Sequence, residues 1–205
     1  SIYEGGVLVP LLARWPKVIG SGKTSDAIVG LSDFMATFAD LTGEELGEQE
    51  GPDSISFAPV LRDPAAKTDR NDLVLNCGTA FAIREGDWKL CLTPSSGVKY
   101  DSENAAGNDP MPIPAWRAAI DRFGGKPSEE DLLKAPFVQL FDLSKDPHED
   151  VNLAEQHPER VRHLVELLEG QIENGRSTPG PKLENDKQVK IVNLRDKRLP
   201  DFVTD

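Results

Sequence analysis

A chain of 205 residues at 38% hydrophobic content carries enough apolar material for one ordinary domain or two small ones, which excludes a wholly disordered chain. A formal net charge of -12 argues against a nucleic-acid partner or an anionic membrane surface, while leaving room for a small basic pocket for an anionic group. No apolar run reaches transmembrane length, and the two cysteines, Cys77 and Cys91, lack metal-ligand spacing. They leave two readings open: one disulfide between neighbouring strands, or two half-buried thiols.

The chain opens on Tyr3-Glu4-Gly5-Gly6 and an apolar run from Val7 to Ala13. A continuous run of this kind predicts a strand buried on both faces, starting at or after Pro10 because proline cannot donate to a ladder. Paired glycines offer positive φ and close approach of another group. A buried strand needs neighbours, and no methionine or polar lead-in precedes this one, so the sequence is expected to begin inside a larger protein. Gly20 to Thr24 is a polar loop; position 17 is lysine, so no phosphate-binding loop pattern forms around Gly22. Ser25 to Val29 is a short extended piece. Ser32 is predicted to cap a helix with Phe34, Met35, Phe38 and Leu41 on one face, ended by Gly43. Ser56 to Leu61 is a second apolar patch.

Beyond Pro64 to Asp72 the pattern becomes β. Leu73 to Cys77 reads as a strand. Phe81 to Arg84 and Trp88 to Leu92 flank the turn Glu85-Gly86-Asp87 as a hairpin. Trp88, Leu90 and Leu92 alternate with Lys89 and Cys91, which predicts one buried face, with Arg84 and Lys89 solvated. Thr93 to Pro114 is irregular and too long for an ordinary connection. Short helices are expected at Ala115 to Phe123 and after Ser128. Val138 to Leu143 is the fourth strand. It ends in an acidic turn, Ser144 to Asp150, with solvated carboxylates; Pro147 stands where an EF-hand would need glycine. Pro158 starts a helix with Val161, Leu164, Val165, Leu168 and Ile172 on one face, and Gly175 ends it.

The chemistry is sparse. The three histidines, His148, His157 and His163, have no nucleophile or metal partner at a telling spacing. No catalytic residue and no metal ligand is assigned on these grounds.

The order of motifs resembles the type I, formylglycine-dependent sulfatases. The carriers are Tyr3 to Pro10 with Trp15-Pro16, then Ser25-Asp26 with Asp33 to Thr37. Ala82 to Leu90 and Gln139 to Leu143 follow, with Asp146-Pro147, Glu149 and Asn152-Leu153-Ala154. Gly175 to Gly180 is similar to the tail of an arylsulfatase-like branch. Leu8 stands where the family often has arginine, so a polar contact made there is absent.

The resemblance implies an α/β fold: the C-terminal edge of an alkaline-phosphatase-like domain, then a four-stranded antiparallel sheet packed on a C-terminal helix. It divides the chain into 1–63, the end of the catalytic domain; 64–180, the β subdomain with its helix; and 181–205, an extended tail. The function implied is hydrolysis of carbohydrate or aryl sulfate esters. Calcium and formylglycine would be supplied by the parent protein, upstream of a catalytic lysine expected just before Ser1, and this chain would be inactive alone. Tyr3, Glu4, Gly5, Gly6, Ser95 and Ser96 are then expected in the wall of the substrate pocket. Expected partners are the N-terminal catalytic portion of the same protein and a sulfated small molecule or glycan, with a homo-oligomer through the exposed strand as a further route. Nucleic acid and membrane are not expected, and the implied location is periplasmic or extracellular. The alternative reading is a non-catalytic β-rich binding module that shares the fold.

Overall fold

The computed structural model describes residues 2–77, 80–93, 136–189 and 191. In chain order the elements are α1 (Glu4–Val7), α2 (Asp33–Thr42), α3 (Ala58–Arg62), β1 (Asp72–Cys77), β2 (Ala80–Glu85), β3 (Trp88–Leu92), β4 (Val138–Asp142) and α4 (Pro158–Asn174). The chain forms two compact units. The described residues of the first fall within Ser1–Val9, Val74–Leu168 and Lys190–Asp205; those of the second fall within Pro10–Leu73 and Glu169–Val189.

The first unit is built on a four-stranded sheet in the order β1-β2-β3-β4. β2 and β3 are antiparallel with Ile83 opposite Leu90, and β3 and β4 are antiparallel with Leu90 opposite Leu140. Gly86 closes the hairpin at φ 57°, the left-handed conformation that glycine adopts without a Cβ penalty. Directly opposed residues share a face, so the register sorts the side chains. Ile83, Leu90, Leu92, Val138 and Leu140 lie on one face and are buried. The apolar stripe of α4, Val161, Leu164, Val165 and Leu168, is buried too. Its polar flank reaches this same face: His163 meets Glu85, and His157 and Arg160 meet the Trp88 ring.

The opposite face carries Ala80, Ala82, Lys89, Cys91, Gln139 and Phe141. It is covered by the start of the chain, where Ile2 and Tyr3 join Ala80, Ala82, Cys91 and Phe141 in one apolar cluster. Tyr3 meets Phe141 edge-on at 6.4 Å. The sheet is therefore buried on both faces, and the one-sided burial expected for β3 is corrected. Lys89, expected in solvent, is 0% exposed.

Two further expectations are corrected. Residues 8–15 form no strand; Leu8, Val9, Leu11 and Leu12 are exposed. The backbone bonds locally instead: the Tyr3 carbonyl accepts from Gly6 and Val7, and the Glu4 carbonyl accepts from Leu8. Pro10 and Pro16 interrupt any ladder, and an oligomer by strand pairing has no strand here to pair. The glycine pair sits in this turn, and neither Gly5 nor Gly6 takes positive φ. The acidic turn after β4 is a turn, but not a solvated one. Asp146 caps it by accepting from the amides of Asp150 and Val151, while Glu149 points inward at 0% exposure. Of the two readings left open for the cysteines, the structure bears out the second: Cys77 and Cys91 are not bridged to each other. They lie on β1 and β3 with β2 between them, a separation of about 9.5 Å at ordinary strand spacing, beyond disulfide reach.

The second unit has a polar centre. α2 runs where expected and Gly43 ends it at φ 76°, but Ser32 makes no side-chain cap. Asp33, the first helical residue, instead reaches back to accept from the Gly30 amide at 2.7 Å, fixing the segment that enters the helix. Met35 and Phe38 are exposed, and the buried positions of α2 are Asp33 and Thr37. Asp33 forms a bidentate pair with Arg70, whose guanidinium also donates to the carbonyls of Asp53 and Asp72. Thr37 accepts from the Phe57 amide at 3.0 Å, and Phe57 packs edge-on against Phe34 at 5.1 Å. The inward face of α2 thus bonds backbone amides of the segment before α3, a pattern that hydrophobic periodicity does not register.

Two glycines after regular elements separate backbone freedom from packing. A Cβ at Gly86 would meet nothing, whereas one at Gly175, φ 64°, would overlap the Leu183 carbonyl. Gly86→Ala is expected to cost about 1–2 kcal/mol for its left-handed φ alone. Gly175→Ala should cost clearly more, because backbone must move. Urea unfolding of the two variants checks this; equal costs would mean that the Leu183 carbonyl yields freely.

Candidate functional site

The expected pocket-wall residues begin in α1, and what holds α1 in place is a buried charge cluster in the first unit. Tyr3 and Glu4 are buried, and Gly5 and Gly6 are exposed. The Lys89 ammonium lies 2.7 Å from Glu4 Oε1 and 2.9 Å from Glu149 Oε1. Glu149 Oε2 accepts from the Glu4 amide at 2.6 Å. Arg84 stands on the same sheet face as Lys89, with its guanidinium 3.8 Å from the other Glu4 oxygen. Beside this cluster the Tyr3 hydroxyl accepts from Gln139 Nε2 at 2.8 Å, and that amide also donates to the Thr93 carbonyl.

Each partner is placed by its own local rule. Lys89 follows from strand alternation: it faces away from Trp88 and Leu90, toward the face that Ile2 and Tyr3 cover. Glu4 lies in the first turn of α1, where a carboxylate is favoured by the free amides. Glu149 sits at φ 57°, an uncommon conformation for a residue with a side chain, and the capped Asp146 turn holds it there. Burial pushes the Glu149 carboxyl above its ordinary value; the Lys89 ammonium and the Glu4 amide oppose that rise without cancelling it. At the end of β4, Asp142 is held below its usual range, first by the hydrogen bond from Lys145 and next by that from Ser144.

The structure therefore gathers Tyr3, Glu4, Gly5 and Gly6 in one turn; Ser95 and Ser96 lie outside the described residues. Lys89 and Glu149 were missed by sequence reasoning. The available signal was Glu4 itself: a carboxylate between an apolar pair and two glycines, needing a cation if buried.

Neither cofactor implied by the resemblance fits these residues. No group of three or more His, Cys, Asp or Glu side chains among the described residues is placed to hold a metal ion. Cys91 is buried in the sheet core, and desolvation pushes its thiol far up from the ordinary value. Cys77 lies in β1 against the same apolar cluster. No chemical step through calcium or formylglycine is derived from them.

No family model matches the chain. An N-acetylgalactosamine-6-O-sulfatase of Bacteroides thetaiotaomicron is 32% identical over 171 residues, 82% of this chain and 28% of that protein. The chain belongs to the sulfatase family. An ulvan-active sulfatase of Formosa agariphila is 30% identical over 163 residues, 75% of the chain and 30% of the relative. A solved structure described as a complex with its substrate D-glucosamine-2-N,6-O-disulfate is 22% identical. It covers 77% of this chain and 26% of that one, at a TM-score of 0.47. The chain thus spans under a third of the length of the curated relatives it matches. No helix among its described residues is long and apolar enough to cross a membrane.

The cluster makes a signed prediction. A carboxyl whose folded pKa is raised keeps its proton longer in the folded state, so its contribution to stability falls as pH rises through the interval above the ordinary carboxylate value. Glu149→Gln removes that dependence. The stability of wild type minus that of Glu149→Gln should therefore decline from pH 4.5 to 7, measured by urea unfolding at several pH values; a difference that rises with pH would contradict the assignment. Lys89→Met leaves two carboxylates facing each other and is expected to cost about 3–5 kcal/mol at pH 7 in the same assay.

Proposed function

We propose that this chain is the C-terminal part of a sulfatase, and that the parent protein hydrolyses sulfate esters with carbohydrate sulfates as the substrate class. The identity to an N-acetylgalactosamine-6-O-sulfatase along 82% of the chain carries this reading. The ulvan-active relative supports a saccharide substrate over a simple aryl sulfate. Calcium and formylglycine belong, in this reading, to the portion of the parent outside this chain, and the chain alone is inactive. Its contribution is a wall: the exposed Gly5-Gly6 backbone, held from behind by the buried Glu4, stands at the edge of the sulfate pocket, and Ser95 and Ser96 are proposed for the same wall. The N-terminal catalytic portion is the partner, and the compartment is periplasmic or extracellular.

Sulfate release provides the test. The isolated chain and the longer protein containing it are assayed on 4-nitrophenyl sulfate and on 6-sulfated N-acetylgalactosamine. Turnover is expected from the longer protein only, and faster on the sugar. Turnover by the isolated chain would overturn its proposed inactivity. A longer protein active on neither ester would overturn the sulfatase reading.

A further inference from the structure

The cluster of Glu4, Lys89 and Glu149 is larger than a fold of this kind requires. Three ionisable side chains occupy a place that apolar groups of the same size would fill without their desolvation cost, and such replacements are commonly neutral or stabilising. Two further observations converge on the same atoms. Glu149 is held at φ 57°, one of two non-glycine residues with positive φ among the described residues. Strain of this kind persists where the surroundings over-determine it, and it concentrates at functional sites. The carboxylate so presented is spent on the first turn of the chain, accepting the Glu4 amide while Lys89 holds the Glu4 side chain.

Behind α1, then, every polar group of Glu4 is fixed: the amide by Glu149, the carboxylate by Lys89 and Arg84, and the carbonyl by the Leu8 amide. In front of it, Gly5 and Gly6 are exposed, and a Cβ at Gly5 would meet nothing within 4 Å. An anchored, side-chain-free turn with open space before it is a backbone surface set at a fixed height.

We infer that Lys89 and Glu149 are positioning residues that clamp α1 through Glu4 and so set the Gly5-Gly6 backbone for a sulfate-bearing substrate. The role rests on the sulfatase reading, but the clamp itself does not, since it is a property of this chain. Lys89 touches no substrate; it acts through Glu4. Glu149 acts through the Glu4 amide, which is why its left-handed backbone is kept.

Residue-resolved amide hydrogen exchange on the 205-residue chain tests the clamp. Glu149→Gln keeps an oxygen able to accept the Glu4 amide, whereas Glu149→Ala does not. The double variant Lys89→Met with Glu149→Gln avoids two facing carboxylates, and so guards against a variant that fails to fold. Exchange at Glu4, Gly6, Val7 and Leu8 is expected to rise about tenfold or more in Glu149→Ala and in the double variant, and less in Glu149→Gln. The hairpin amides of Ile83 and Leu90 should stay protected. Equal loss of protection in turn and hairpin would overturn the clamp, because the cluster would then serve the sheet as a whole; unchanged exchange in the turn would overturn it too. In the longer protein, Glu149→Gln is expected to raise KM for the sulfated sugar about fivefold while kcat moves less than about twofold. An unchanged KM would overturn the link from clamp to substrate. If the unmodified longer protein shows no turnover, the sulfatase reading alone falls, and the exchange result still decides the clamp.

Discussion

The Lys89 ammonium is enclosed by protein, and the first unit is arranged around it with two carboxylates at contact distance. An ammonium taken out of water needs a carboxylate at contact distance, and removing the lysine leaves the acids around it without a counter-charge. Glu4 and Glu149 meet that need from either side of it in the sequence, 85 residues before Lys89 and 60 after it by their numbering. Arg84, 3.8 Å from Glu4, adds a second cation from the partly exposed side. The Coulombic requirement thus ties the first turn, the central hairpin and the loop after the last strand into one object.

That requirement accounts for which parts of the fold could be read from sequence. The four strands, the Gly86 turn and the α4 stripe are local patterns of period two or 3.6, and all are present. The face carrying Trp88, Leu90 and Leu92 was legible because its cover, α4, announces itself by its own periodicity. The other face was not, since its cover is three residues, Ile2 to Glu4, too short to show any period. With that cover unknown, alternation alone assigns Lys89 to solvent. The same gap misplaced Val7 to Ala13: the run is apolar enough for a strand, but strand formation depends on a ladder partner and not on hydrophobicity. Of the candidate site, Tyr3 to Gly6 came from a motif, and its supporting residues required three-dimensional pairing.

The second unit uses the same physics on a smaller scale. Arg70 satisfies both Asp33 oxygens and two backbone carbonyls, and Asp33 also takes the amides of Gly30 and Ile55. A planar guanidinium suits this junction, because its fixed fork serves several acceptors at once. Lysine suits the first unit, where a compact charge must sit between two acids. The difference follows from geometry: Arg70 fastens irregular backbone, while Lys89 fastens one side chain and, through Glu149, one amide.

Rigid support behind an exposed backbone has a chemical rationale. A glycine turn free to move would lose conformational entropy each time a ligand ordered it, and the affinity would drop accordingly. Fixing Glu4 at its amide, carbonyl and carboxylate places that ordering in folding instead of binding. A Cβ at Gly5 would enter open space, so in the proposed role the missing side chain and the anchoring of Glu4 answer the same demand. Polar anchors suit this task better than apolar packing. A methylene contact resists displacement weakly and in no preferred direction, whereas hydrogen bonds and ion pairs fix both position and orientation. The desolvation cost of burying these three ionisable side chains is therefore intelligible as the cost of holding one short turn still.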